Sequence, residues 1–320
     1  MNYLLTSVDE EYKKRPRYIS ILRIIIQILS FFLINYIIIE LIFQIDMDLF
    51  EGLIKILPIL NSPRNPISKG AGFLEFIIYM IGQAEFPFLL IGILILISLL
   101  FSRIFCGFMC PIGSIQDFLS IFRSKKRKQF SRKTHKFLIH IKLVILLIII
   151  IAIMSLGIAK MINPIFYIEY KSNLGTFADK PLGYFSLSEY LFVFFPEIIQ
   201  DIINSGEIQI LFSDFLTFFI FFFYIIILIL AVYYPRVYCR YLCPYAALSS
   251  LFSEYSFLKL KRNPVKCAGR KECGICERVC PMQIRILDEK FEGFTGGGEC
   301  ILCLRCIEKC PYNALKIKFG

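Results

Sequence analysis

The chain has 320 residues, 57% hydrophobic and 19% charged, with a formal net charge of +11 and a mean hydropathy of +0.66. Soluble domains carry about 45–50% apolar and about 25% charged residues, so an ordinary soluble enzyme is excluded. Twelve cysteines against two histidines, with no Cys-x-x-Cys-His site, exclude a multi-haem protein as well.

A hydrocarbon core about 30 Å thick takes roughly 20 residues of helix to cross. The first apolar run, Ile19–Phe43, meets that length. No small-residue cleavage site follows it, so it reads as a retained anchor rather than a signal segment. Phe73–Gly82 is too short to span and is expected to lie at the interface or re-enter it. Phe86–Ile104 and Phe137–Ala159 are full spans, Tyr190–Ile203 is interrupted by Pro196 and Glu197, and Ile210–Tyr233 is the fourth span. The expected fold class is therefore an α-helical integral membrane protein with four transmembrane helices, plus a small C-terminal domain described below.

Orientation follows from the cationic residues. The N-terminal tail carries Lys13, Lys14, Arg15 and Arg17. The loop between the second and third spans carries Arg103, Arg123, Lys125, Lys126, Arg127, Lys128, Arg132, Lys133 and Lys136. The other loops hold only Lys55, Arg64 and Lys69, and Lys160, Lys171 and Lys180. The positive-inside rule then places both termini in the cytoplasm and the protein in the cytoplasmic membrane as a multi-pass chain. The basic loop reads as an orientation signal lying on anionic lipid headgroups. It lacks the aromatic interleaving and the recognisable fold of a nucleic-acid binder, so no nucleic-acid partner is expected. Cysteines on the reducing side argue against a disulfide scaffold.

One internal repeat stands out. Phe101–Gly113 matches Tyr234–Ala246 at a constant offset of 133, pairing Arg103 with Arg236, Cys106 with Cys239, Cys110 with Cys243 and Pro111 with Pro244. The register continues into a short amphipathic helix: Ile112, Ile115, Phe118, Leu119 and Phe122 align with Tyr245, Leu248, Leu251, Phe252 and Tyr255. Each copy reads as a spanning helix, a Cys-x-x-x-Cys-Pro turn at the cytoplasmic surface and an interfacial helix. Two cysteines four apart on a turn present both sulfurs to one point, and the proline stops the helix from running through the loop. Cys106, Cys110, Cys239 and Cys243 together make a candidate four-thiolate metal centre, suited to an iron–sulfur cluster or to tetrahedral zinc.

After Lys261 the hydrophobicity falls and the cysteines crowd. Cys300, Cys303, Cys306 and Cys310, with Pro311, form an unbroken C-x2-C-x2-C-x3-C-P run. In a two-cluster ferredoxin the fourth cysteine of such a run ligates the other cluster. The partner run is Cys267, Cys273, Cys276, Cys280 and Pro281, with five residues in the first gap and Arg270 where the regular pattern wants cysteine. The crossed rule assigns Cys267, Cys273, Cys276 and Cys310 to one cluster, and Cys300, Cys303, Cys306 and Cys280 to the other. The widened gap leaves the first as a [4Fe-4S] or a [3Fe-4S] cluster. Ile284–Leu287 and the Gly296–Gly298 turn are expected to supply a strand and a reversal of a small α+β, two-cluster ferredoxin-like domain. So small a domain has little core, and its clusters should hold it together. The domain division is 1–256 for the membrane part and 257–320 for the cytoplasmic ferredoxin.

Four spans, two Cys-x-x-x-Cys-Pro turns and a C-terminal two-cluster ferredoxin resemble the NapH/MauN-type membrane ferredoxins. These are related to the membrane parts of NosR-type and CcoG-type polyferredoxins. The resemblance implies an iron–sulfur electron-transfer protein, a quinol dehydrogenase-like subunit passing electrons between the quinone pool or a cytosolic donor and a respiratory redox partner. A second function, a metal- or cofactor-reducing assembly factor, uses the same clusters; a third, a structural zinc protein, uses the same cysteines. For a quinone, His140 is the candidate, an ionisable residue about one turn into the third span. His135 is expected to be a solvated bystander, and Glu85 and Asp214 to lie at the opposite face.

Overall fold

The computed structural model describes residues 18–34, 64–65, 68–71, 73–122, 129–179, 182–206 and 215–320. The basic tail at 13–17, residues 35–43 of the first run, the charge cluster at 123–128 and Asp214 lie outside the described residues. The chain is mostly helical. The helices used below are α1 Tyr18–Ile34, α2 Phe73–Gly82, α3 Phe88–Phe101, α4 Ile104–Phe108, α5 Pro111–Leu119, α6 Arg132–Ile162, α7 Pro164–Leu174, α8 Phe195–Ser205, α9 Phe215–Tyr233, α10 Val237–Tyr241 and α11 Pro244–Ser253. Two short antiparallel ladders accompany them, β1 Arg64–Asn65 with β2 Ser68–Ala71, and β3 Leu258–Arg262 with β4 Leu315–Phe319.

Among the described residues two helices are long and apolar enough to cross a membrane, α6 and α9; α1 and α3 are shorter apolar helices. At 1.5 Å per residue, α6 is about 45 Å long. Ser131 caps its start by accepting from the Thr134 amide. Asn163 ends it and caps α7 in turn, accepting from the amides of Ile165 and Phe166 ahead of a proline at the first turn. Along α6 the buried residues run Lys142, Leu146, Ile149, Ile153 and Leu156, a stripe at helical spacing, while Val144, Leu147, Ile148, Ile151 and Ile158 are exposed. The same holds for α9, with Ile220, Tyr224, Ile227 and Ala231 inside and Phe219, Ile226 and Ile229 outside. Helix α1 turns polar residues inward: Arg23, Gln27 and Ser30 are buried, and Ile21, Leu22, Ile25 and Ile28 are exposed. A continuous apolar exterior of this kind suits lipid rather than water. The protein has the character of a membrane protein.

The 133-residue repeat is visible in the backbone. α4 and α10 have the same length, and α5 and α11 both begin at the proline that follows a cysteine. Ser102 takes φ 54° ahead of α4, but the matching position is Pro235, whose ring forbids positive φ, so Arg236 adopts φ 54° instead. Burial repeats too: Ile112 and Tyr245 are buried, whereas Phe118 and Leu251, and Phe122 and Tyr255, are exposed.

The described residues divide into two compact units, one from Met1–Leu29, Ile93–Met109 and Leu248–Gly320, the other from Ser30–Gly92 and Cys110–Ala247. In the first, β3 pairs with β4 from Leu258↔Phe319 to Arg262↔Leu315, closing the C-terminal module by joining its two ends. This corrects the strand expected at Ile284–Leu287, where Ile284 and Arg285 are irregular and Ile286 and Leu287 enter a turn. Gly296, Gly297 and Gly298 all have positive φ and make the reversal. The first unit also ties α1 to the module, because Glu308 accepts from the amide of Ser20 at 2.9 Å and from its hydroxyl.

Candidate iron–sulfur sites

Two stretches of the module wrap cysteines in the same way, thirty residues apart. Cys273 is followed by Gly274 at φ 61° and the helical turn Ile275–Arg278; Cys303 is followed by Leu304 at φ 58° and the turn Arg305–Glu308. Each ends in a Cys-Pro pair, Cys280-Pro281 and Cys310-Pro311. A leucine held left-handed costs about 1–2 kcal/mol, a strain the surrounding loop must impose.

The eight cysteines surround two cavities. Cys280, Cys300, Cys303 and Cys306 line one of about 20 Å3, walled by Leu260, Met282, Ile284, Ile286 and Phe294. Cys267, Cys273, Cys276 and Cys310 line the other, of about 20 Å3, with Ile275, Leu287, Ala314 and Leu315. The structure thus brings together the two sets of four that the crossed spacing names. The second cavity is as large as the first, so the wider gap has not closed it. Its extra residues form the turn Gly269–Glu272, which leaves Cys267 in the ring.

Do these residues fit a cluster? Zinc needs its four sulfurs about 2.3 Å from a single point. Among the described residues, no three His, Cys, Asp or Glu side chains converge closely enough for one ion. The sulfurs instead ring a space, which fits a group larger than an ion. Backbone N–H groups serve the sulfurs as cluster ligands require: Leu302 donates to Cys300, Ile275 to Cys273, and Ala314 to Cys310 at 3.3 Å. The Arg262 guanidinium reaches Cys267 at 3.8 Å. The residues fit. Cys267, Cys273, Cys276 and Cys310 would hold one group, and Cys280, Cys300, Cys303 and Cys306 the other.

Burial pushes the Cys276 thiol up to about 12, with nearby anionic groups adding to it. Burial also raises Cys300, against the N–H of Leu302 and the Arg103 charge, and it raises Cys306 well above the usual thiol range. Without metal the folded module therefore prefers neutral thiols. A raised folded pKa gives stability that is present below the unfolded value and lost as pH rises toward the folded one. The metal-free protein should lose thermal stability between about pH 9 and 12, read by melting at stepped pH. A flat profile over that window would refute this. Binding metal requires thiolates and should release protons.

At the helix ends, Cys106 is buried on α4 in the first unit. Cys110 precedes Pro111, and with Cys239 it belongs to a buried apolar cluster of the second unit, against which Cys243 packs. Gln116, fully buried on α5, donates to Cys239 Sγ at 3.1 Å and accepts from the Tyr238 amide at 3.1 Å. Asp117 beside it accepts two bonds from Arg236, at 3.2 and 2.7 Å, both side chains buried. The repeat-mate of Arg236, Arg103, donates instead to Glu299 at 2.9 Å and to the Gly298 carbonyl at 3.4 Å. The matched arginines were aligned in sequence; Gln116 and Asp117 were missed. Their signal was two polar residues on a short helix next to a cysteine turn.

His135 is not a bystander. It lies half-buried in the first turn of α6, its Nδ1 2.7 Å from the Tyr241 hydroxyl and 3.2 Å from an Arg240 nitrogen. Phe130 stacks on Tyr234 at 4.1 Å nearby. His140 is exposed on the outer face of α6. Glu85 is exposed as well.

Eight cysteines lining two apolar cavities give the module the character of a ferredoxin-type iron–sulfur protein. The profile of a family described as "4Fe-4S binding domain" matches residues 84–129 and 216–264, both copies of the long repeat. A second profile with that description matches residues 298–316. An uncharacterized protein of Methanocaldococcus jannaschii is 30% identical over 228 residues, 70% of this chain and 67% of its own. YccM of Escherichia coli, whose name assigns it provisionally to electron transport, is 27% identical over 70% of this chain and 53% of its own. The regulatory protein NosR of Pseudomonas aeruginosa is 25% identical over 65% of this chain and 24% of its own. No solved structure matches. The chain belongs to the membrane-type 4Fe-4S ferredoxins related to NosR.

Proposed function

We propose that this is a membrane-bound iron–sulfur electron-transfer protein that relays electrons between the quinone pool or a cytosolic donor and a respiratory redox partner. The observation that carries the reading is the gathering of eight cysteines into two cavities of equal size. When bound, [4Fe-4S] clusters supply one-electron chemistry there. The chain's own part is to hold them in apolar walls, to offer N–H groups to the sulfurs, and to keep water from the buried set. The likeness to YccM, named for electron transport, supports this class.

The proposal includes four spans in residues 1–256, a cytoplasmic ferredoxin domain in 257–320, and both termini in the cytoplasm of a cytoplasmic-membrane protein. A reporter that works only in the cytoplasm should be active when fused after Gly320. An active periplasmic phosphatase at the same place would reverse the orientation. His140, facing outward from α6, is the proposed contact for a membrane quinone.

It also includes a further iron–sulfur centre on Cys106, Cys110, Cys239 and Cys243. The 133-residue repeat and the family profile that covers both copies support it. The deciding experiment is iron and sulfide analysis with EPR on the anaerobically purified full chain. Cys239→Ser with Cys243→Ser should remove one signal and its iron while sparing the ferredoxin signals. Unchanged iron in that variant would remove the further centre from the reading; an iron-free wild type would sink the whole of it.

A further inference from the structure

The two cavities of the C-terminal module differ in what surrounds them. The Cys280, Cys300, Cys303 and Cys306 set is the more covered: Cys300, Cys303 and Cys306 are buried and Cys280 alone is partly exposed. Its loop lies against α4, where a Cβ built on Gly107 would stand 2.3 Å from the Ile301 carbonyl oxygen and 3.6 Å from the Cys303 nitrogen. In the Cys267, Cys273, Cys276 and Cys310 set two cysteines, Cys267 and Cys273, are partly exposed, and Cys276 and Cys310 are buried. Val265, two residues before Cys267, is 93% exposed, and Tyr312, after the Cys310-Pro311 pair, is 39% exposed.

The rim of the Cys267 set is basic. Lys266 and Lys271 are exposed on either side of Cys267, and exposed Arg278 donates to the Cys273 carbonyl at 3.3 Å. Arg270 is engaged: it donates to Glu277 at 2.9 and 2.8 Å and to Asp288 at 2.7 Å. Those bonds brace the inserted turn Gly269–Glu272, the same residues that depart from regular ferredoxin spacing. Held this way, the insertion presents Lys271 beside Cys273 and leaves Glu272 as the one exposed carboxylate in the turn.

We propose that this rim is the docking surface for a small acidic electron-carrier protein of the soluble ferredoxin type, and that the inserted turn is its recognition element. The inference rests on the iron–sulfur reading above and adds a partner and a place to it. Electron exchange between proteins falls steeply with distance, so the set with two partly exposed cysteines is the one a soluble partner approaches more closely. Exposed Val265 and Tyr312, each two residues from a cysteine of this set, and the cations Lys266, Lys271 and Arg278 are the complement of an acidic protein's face.

The test uses the full chain, anaerobic and metal-loaded, in nanodiscs of zwitterionic lipid, with an acidic two-cluster bacterial ferredoxin as the probe. Lys266→Glu with Lys271→Glu should weaken its binding about tenfold and flatten the salt dependence, as rim charges do. Lys290→Glu with Lys316→Glu makes the same charge change elsewhere on the module and should alter binding less than about twofold. Carbodiimide cross-linking should join the probe to Lys266 or Lys271. Three results overturn the proposal: no binding by the wild type, equal loss in both variants, or a wild-type interaction of the two lysines with anionic vesicles alone. EPR on the same preparation separates the two readings, because intact signals without binding sink the docking surface only, and absent signals sink both.

Discussion

Cys310→Ser should strip one iron–sulfur site from the ferredoxin module and leave the other. Cys310 sits in the C-x3-C spacing with Cys306, yet its side chain lines the cavity of Cys267, Cys273 and Cys276, while Cys306 lines the other. The Pro311 that follows stops the short helix Arg305–Glu308 from carrying the fourth sulfur back toward its neighbours. The backbone supports the same division, since the Ala314 amide donates to Cys310 Sγ and Ala314 itself walls that cavity. Loss of Cys310 leaves three sulfurs around an apolar space, so iron in the module should fall by about half, with one of its two EPR signals gone. Cys280→Ser should remove the opposite signal, and the pair of variants together reads out the crossing. Should Cys310→Ser abolish the signal that Cys300→Ser also abolishes, the assignment is wrong.

Spacing made the eight cysteines legible because a ligand loop is a local object. Cys303 and Cys306 stay three residues apart whatever the rest of the chain does. The long repeat was legible for a similar reason, two cysteines and a proline in one register. The ladder of β3 with β4 was readable but overlooked: Leu258-Lys-Leu-Lys-Arg262 and Leu315-Lys-Ile-Lys-Phe319 both alternate apolar and charged residues, the period of a half-buried strand. Ile284–Leu287 drew the strand expectation because it is apolar, but Ile284 and Ile286 are buried as cavity wall rather than by pairing. The partners of His135 were illegible, since Tyr241 lies 106 positions away and no local pattern joins them. Arg240 and Arg103 show the same limit from another side. Their charge and position could be read in sequence, whereas Glu299 for Arg103 and His135 for Arg240 come from distant parts of the chain.

Gly107→Ala should pry the Cys300–Cys303 loop away from α4. The atom a Cβ would meet, the Ile301 carbonyl oxygen at 2.3 Å, is backbone, so no side-chain rotation can relieve the clash. The turn cannot retreat freely in the other direction, because Gln27 of α1 donates to the Gly107 carbonyl at 3.2 Å and is itself buried. Neither can the loop slide: the Arg103–Glu299 bond holds its start, and a Cβ at Gly298 would stand 2.0 Å from the Ser250 carbonyl oxygen. Overpacking of this kind costs about 1–3 kcal/mol, and a valine should cost more than an alanine. The loop carries Cys300 and Cys303, so the damage should be specific: the signal of the Cys280, Cys300, Cys303 and Cys306 site broadens and its iron becomes labile, while the Cys267 site is spared. Gly92→Ala on α3 is the control, since nothing lies within 4 Å of its Cβ. The second repeat places Arg240 where the first has Gly107, which fits a close backbone approach needed in one copy only. If Gly107→Ala matched Gly92→Ala in melting temperature and in both EPR signals, the contact would not be what seats the ferredoxin loop.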